Sequence, residues 1–167
     1  MSVAEGDITK LDVDAIVNAA NSQLLPGGGV CGAIHRAAGP GLAEACDKIH
    51  HCPAGEARLT PGFRLKAKYV IHAVGPVWNG GQSNEDALLA SAYRYSLELA
   101  RDHGAASIAF PAISTGIYGY PLERATSIAV STVVEFLRAN RLPERVIFAC
   151  FGEAAMAHYR TALADLA

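Results

Sequence analysis

Two glycine-rich stretches and one thiol carry the chemistry that this sequence could perform. Residues 18–39 read NAANSQLLPGGGVCGAIHRAAG, with Asn18 and Asn21 first, then a triple glycine, then Cys31 and His35. A second stretch, Ser114-Thr115-Gly116-Ile117-Tyr118-Gly119, also follows an apolar run and also leads towards a helical pattern. Glycines in such loops let backbone N–H groups come close to an anion, and a helix N-terminus adds partial positive charge. Two cradles of this kind in one small chain imply a ligand with two phosphates. Cys31 opens a helical segment and has His35 four residues on, on the same face; both features favour thiolate. A thiolate there could act as a base or a nucleophile. Like-charge repulsion from a bound diphosphate opposes it, and the plainer reading is a small neutral residue lining a pocket.

Other chemistries fit less well. Gly27 to Gly32 formally matches G-x-G-x-x-G, but Asn21 to Pro26 separate it from the preceding strand. The acids at the expected distance, Glu44 and Asp47, fall in a helical stretch, so a nicotinamide dinucleotide fingerprint is set aside. No G-x-x-x-x-G-K-[ST] pattern occurs. Adjacent side chains of His50-His51-Cys52 diverge and lack a second ligand pair, so they read as a solvated turn before Pro53 and no metal site is expected. His72, inside an apolar strand, reads as core.

The elements that must position these residues alternate between strand and helix. Strands are expected over 13–20, 56–59, 69–74, 107–110 and 145–151. Helices are expected over 31–38 and 42–50, after a Ser83/Asp86 capping box, from Pro121, and over 153–166. Leu88, Ala92, Tyr95 and Leu99 fall on one face of the third helix. Ala125, Ile128, Ala129, Thr132, Val133 and Phe136 share a face of the fourth. Few residues precede Gly6, so a short first strand or a trimmed sheet edge is expected. This order argues for an α/β sandwich with a largely parallel central sheet. In such sheets ligands bind at the carboxyl ends of strands, where both glycine loops can sit.

Composition agrees with a single domain. The chain has 167 residues, half of them apolar (51%) and 18% charged, enough for a full core. A net charge of −2 gives no electrostatic footprint for nucleic acid. Any phosphate must then be held by backbone dipoles rather than by a basic face. No apolar run is long enough for a membrane span, and MSVAEGDITK has no basic region followed by an apolar one, so no signal peptide is expected. Four scattered cysteines read as free thiols of a cytoplasmic protein.

Five segments together resemble a known family. GDIT (6–9), VNAAN (17–21), GGGV followed by GAIHRAAG (27–39), IHAVGPVW (71–78) and FPAISTGIYGYP (110–121) are similar, in order and spacing, to macrodomains of the MacroD type. The likeness is to the bacterial O-acetyl-ADP-ribose deacetylase branch and runs over nearly the whole chain. It implies a three-layer α/β/α macrodomain over 1–167 with a mixed, largely parallel central sheet, with ADP-ribose or a derivative as ligand and no cofactor. Asp7, with Ile8 beside it, would meet adenine, and Phe151 would stack on it. Gly28, Gly29, Val30, Cys31 and Gly32 would hold the diphosphate together with Ser114, Thr115, Gly116, Ile117 and Tyr118. Tyr118 would close over the distal ribose. Asn21 would bond the distal ribose hydroxyls, while Asn18 would bond backbone near the same edge.

The implied reaction is hydrolysis of O-acetyl-ADP-ribose or of ADP-ribosylated acidic side chains, with Asn21, Cys31 and His35 as the catalytic candidates. His35 could equally be a packing residue satisfied by backbone. The family carries an aspartate after GGGV, thought to orient the attacking water; here that residue is Cys31. Pro26 stands where a fourth glycine is common. A thiol accepts hydrogen bonds weakly, so a reader of ADP-ribose that no longer hydrolyses it is the alternative. Binding of RNA or poly(ADP-ribose) is a third, weaker reading. A monomer is expected.

Overall fold

A computed structural model describes residues 1–166. The chain runs β1 (Ser2–Glu5), a short 3-10 turn (Ile8–Lys10), β2 (Ala15–Ala19), α1 (Gly29–Ala38), α2 (Pro40–Ile49), β3 (Ala57–Pro61) and β4 (Tyr69–Ala73). It continues with α3 (Glu85–Asp102), β5 (Ser107–Phe110), α4 (Leu122–Ala139), β6 (Arg145–Cys150) and α5 (Glu153–Ala164). The six strands form one sheet in the order β1-β6-β5-β2-β4-β3, parallel except where β3 meets β4. The largely parallel sheet expected from the alternation, and its mixed character implied by the family resemblance, are both observed. The short first strand pairs with β6 from Ser2↔Ile147 to Glu5↔Cys150.

Strand residues alternate between two cores because successive side chains point to opposite faces. Val17, Ile71, Phe110 and Phe148 pack against α3, α4 and α5. Ile16, Val70, Ala109 and Ala149 pack against α1 and α2. The inner strands are therefore apolar on both faces, as a sheet covered on both sides requires. On the three-helix face an aromatic series, Tyr93–Phe110–Phe148–Tyr159, runs across the sheet with centroid spacings of 5.0, 6.3 and 4.8 Å.

Two expectations need correction. The buried face of α3 is Leu89, Ala92, Tyr93, Ser96, Leu97 and Ala100, with Leu88, Tyr95 and Leu99 only partly covered. Small residues at 92, 96 and 100 let α3 lie close to α4 and the sheet. The α3 N-terminus lacks the Ser83/Asp86 capping box. Asn84 is its N-cap and makes no side-chain cap bond. Instead the Glu85 carboxylate turns back and accepts the N–H groups of Asn79 (2.8 Å), Gly81 (2.8 Å) and Ser83 (2.6 Å). No helix among the described residues is long and apolar enough to cross a membrane.

Candidate functional site

Four strands end on one cleft of about 740 Å³. Asn21 follows β2, Gly75 follows β4, the 111–118 loop follows β5, and Phe151 follows β6; all of them line it. The remaining wall is Gly27 to Cys31 at the start of α1 and Ala154-Ala155 at the start of α5. Neighbouring strands lie about 4.8 Å apart, so the ends of β6 and β2, with β5 between them, stand roughly 10 Å apart. Both glycine loops thus face the same space from adjacent strand ends, the usual ligand position in a parallel sheet.

The first loop is built for close approach. Gly29 has φ +56°, a conformation that side chains disfavour, and Gly27 to Gly29 are exposed. Gly32 is different. It is buried, its N–H goes to the Gly28 carbonyl at 3.2 Å, and a Cβ there would lie 2.6 Å from the Gly27 oxygen. Its glycine serves the closeness of the turn, and its side lies off the cleft lining. Asn21 clasps the main chain of Leu25, donating from Nδ2 to its carbonyl (2.8 Å) and accepting its N–H (3.0 Å). Leu24, at φ +58°, makes the turn that brings Leu25 back.

The second loop is braced from outside the cleft. Ser114 takes φ +68°, and Tyr120 N–H donates to its carbonyl at 2.9 Å. Trp78 N–H donates to the Tyr118 carbonyl at 2.9 Å. The Trp78 ring lies against Tyr120 at 4.7 Å, and the Arg124 guanidinium sits 5.2 Å from the Trp78 ring centre. Asp86 accepts from Tyr120 Oη and from Arg124 Nε (2.9 Å). The Arg124 and Tyr120 bonds hold the Asp86 carboxyl below its ordinary range. Burial raises Glu85, but its several N–H donors outweigh that and leave it lowered. Ile117 stands fully exposed at the loop apex, while Ser114 Oγ is buried without a partner.

Beneath the first loop lies a buried polar chain that the sequence did not disclose. Asn18 does not bond backbone. Its Nδ2 lies 3.1 Å from His72 Nδ1 and donates to Cys31 Sγ at 3.6 Å. His72 Nε2 is 3.0 Å from Thr60 Oγ1, whose hydroxyl donates to the Pro61 carbonyl at 3.1 Å. Cys46 Sγ is 3.7 Å from the same Nε2. Burial, with a smaller contribution from His35, pushes His72 down to about 3, and burial raises Cys46 to about 11. Asn18 Oδ1 has no partner. An unsatisfied buried acceptor costs about 1–3 kcal/mol, so this amide is a poor device for stability. His72 is core, as expected, though wired rather than merely packed. The only sequence signal was three polar residues facing one side of adjacent apolar strands.

The remaining candidates divide cleanly. Asn21, Gly28, Gly29, Val30, Cys31, Ser114 to Tyr118 and Phe151 line the cleft. Asp7, Ile8, Gly32 and His35 are outside its lining. Asp7 caps the short 3-10 turn, accepting from the Thr9 hydroxyl (2.7 Å) and N–H (2.9 Å), which lower its pKa. Ile8 is core. His35 is half-buried, its Nδ1 has no backbone partner, and burial lowers its pKa. Cys31 is 8% exposed at the cleft floor, with Sγ 3.8 Å from the Leu25 carbonyl. Cys52 is fully buried rather than part of a solvated turn, its N–H bonded to the Ser22 carbonyl at 2.9 Å. Among the described residues no group of three or more His, Cys, Asp or Glu side chains could hold a metal ion.

Known proteins place this architecture. The Macro domain family model matches residues 17–129, and the chain belongs to the macrodomain family. A Methanosarcina mazei macro domain-containing protein is 59% identical over 164 residues, covering 98% of this chain and 88% of that protein. The O-acetyl-ADP-ribose deacetylase of Escherichia coli K12 is 57% identical over 155 residues, covering 90% of this chain and 88% of that protein. The Oceanobacillus iheyensis macrodomain solved with ADP superposes with a TM-score of 0.94 at 44% identity, covering 98% of this chain and 90% of that one. A Trypanosoma brucei macrodomain in complex with ADP-ribose gives 0.91 at 44% identity, covering 96% and 68%.

Proposed function

We propose that this macrodomain binds ADP-ribose in the strand-end cleft and hydrolyses O-acetyl-ADP-ribose, with water attacking the acyl carbon, and ADP-ribosylated acidic side chains, with water attacking the anomeric carbon. The observation that carries the reading is the meeting of both glycine loops, Phe151 and the Asn21/Cys31 pair on one cleft. Relatives named as deacetylases and neighbours solved with ADP or ADP-ribose support it. Adenine stacks on Phe151, an exposed aromatic that needs no repacking to accept a flat partner. Asp7 receives the adenine amino group by giving up its Thr9 bonds. The diphosphate lies over the two loops, held by main-chain N–H groups. Asn21 exchanges the Leu25 main chain for the distal ribose hydroxyls, and Tyr118 covers that sugar.

In the hydrolysis, water adds to the acyl carbon, the ester C–O bond breaks, and acetate, ADP-ribose and a proton result. Cys31 stands at the floor where the water must sit. It cannot match a carboxylate as acceptor, so the ligand's own phosphate shares in positioning that water. His35, one helical turn below Cys31 and outside the lining, supports α1 rather than the reacting atoms. Four buried free thiols suit a reducing compartment, and we place the protein in the cytoplasm.

Acetate release from O-acetyl-ADP-ribose tests the reading. The wild type is expected to turn over, and Asn21→Ala to do so at least ~100-fold more slowly, since misplacing the sugar forfeits orientation. ADP-ribose binding without any acetate release would leave a reader of the modification in place of a hydrolase.

A further inference from the structure

We infer that Asn18 is a positioning residue for the Cys31 thiol, with its direction set by the chain through His72 and Thr60. The inference rests on the cleft reading above and adds a residue to it. The polarity of the chain follows from what each group can do. Thr60 Oγ1 donates to the Pro61 carbonyl, so it is free to accept from His72 Nε2. With its proton on Nε2, His72 presents Nδ1 as an acceptor, and the Asn18 amide nitrogen donates to it at 3.1 Å. The second Asn18 N–H is then aimed at Cys31 Sγ, 3.6 Å away. The sulfur in turn has the Leu25 carbonyl, the group Asn21 also holds, as its acceptor. One side chain thus links β4 and β2 to the cleft floor and fixes which way the thiol faces.

Two observations separate this from ordinary packing. Asn18, His72, Thr60 and Cys46 are all at most 2% exposed, so water cannot substitute for any of the bonds. Asn18 also leaves its Oδ1 unpartnered, an outcome that an apolar side chain of similar size would avoid. What the amide supplies in return is the N–H on sulfur.

The test has two arms on the full chain. Imidazole nitrogen shifts of ¹⁵N-labelled protein, with the His72 signals assigned by their loss in His72→Gln, report its tautomer. The Nε2–H form is expected. The Nδ1–H form would oblige Asn18 to present oxygen to both His72 and Cys31, and would overturn the inference. The second arm is a cycle of O-acetyl-ADP-ribose hydrolysis with Asn18→Ala, Cys31→Ala and the double variant. Asn18→Ala is expected to lower kcat at least fivefold, with KM and ADP-ribose affinity within twofold, and to add nothing once Cys31 is alanine. Equal losses in both backgrounds, or equal turnover of wild type and Cys31→Ala, would overturn it. Should Asn18→Ala not fold, Thr60→Val, which loosens His72 from further away, is expected to give a smaller fall in kcat of the same kind. A wild type without turnover defeats the hydrolase reading alone, and the tautomer then decides the positioning of the thiol.

Discussion

The two glycine loops face one cleft and are held in opposite ways. The first is supported from beneath by a neutral, dry chain: Thr60, His72, Asn18, Cys31. The second is braced from outside the cleft by charged groups: the buried Glu85 gathers the 79–83 backbone, and at the surface Asp86 ties Tyr120 to Arg124. A neutral buried chain fixes direction, because each donor has one available acceptor. The exposed Asp86–Arg124 pair contributes little energy, because water and salt compete for it. The first loop leads into Cys31, and the second carries Tyr118 and the fully exposed Ile117.

Filling the space under each loop breaks the comparison most sharply. A Cβ at Gly75 would fall 2.1 Å from Ser114 Oγ and 2.5 Å from Ile113 Cγ2. At Gly32 it would meet the Gly27 carbonyl, which is backbone and cannot step aside. Gly75→Ala and Gly32→Ala should each cost about 1–3 kcal/mol, the usual range for overpacking. Urea unfolding reads the cost, and calorimetric titration with ADP-ribose should show affinity falling with it. Full stability in either variant would mean that its loop is not seated as described.

Acidification should act on the two supports over different ranges. An unfolded histidine titrates at about 6.5, whereas His72 is held down to about 3. Between these values the unfolded chain binds a proton that the folded one refuses, so stability falls as pH falls. Relative to His72→Gln, the wild type should lose about 2 kcal/mol between pH 7 and 5. Asp86 is also lowered, but from a carboxylate value, so its contribution persists throughout this window and is lost only as pH falls through its folded pKa, below about 3.8. A stability difference that stays constant from pH 7 to 5 would remove the neutral histidine from the chain. Asp86→Asn should cost less, about 0.5 kcal/mol at low salt, and less again in 1 M NaCl. A loss that salt leaves untouched would place the bracket out of water's reach.

How much of this was visible in the sequence depends on whether the signal was local. Strand–helix alternation, the strand-end position of both loops and the apolar periods of α4 lie within single segments, and all were legible. So was the placement of Asn21, Cys31, Tyr118 and Phe151 on one edge, because a parallel sheet gathers its carboxyl ends. The chain under Cys31 was not. Asn18 and His72 are 54 residues apart, and no local pattern announces that strand register brings them opposite each other. Cys52 looked like part of a polar turn because its neighbours are histidines, yet its N–H is taken by Ser22 and its side chain fills the core under α2. Asp7 and Ile8 are tied to the ligand by the family resemblance alone; the Asp7 carboxylate is held by Thr9 and the Ile8 side chain lies in the core, so an Asp7 contact with adenine requires exchange of the Thr9 bonds.

The smallest effect on stability should come from the apolar residue of the second loop, and it sharpens the comparison most finely. Val30 and Ile117 hold similar places, each following or interrupting glycines and each lining the cleft. Val30 is partly buried and packs on the core beneath α1, whereas Ile117 is 100% exposed. Val30→Ser therefore removes packing and should destabilise the fold. Ile117→Ser removes none and should stay within about 0.5 kcal/mol of wild type. Its effect belongs to the bound state. If the second loop settles over the ligand, Ile117 loses water only then, and burial of part of its side chain is worth about 1 kcal/mol. ADP-ribose affinity should then weaken about fivefold with an unchanged melting temperature. Unchanged affinity would mean that the loop stays open over bound ligand and that Tyr118 reaches the sugar without it.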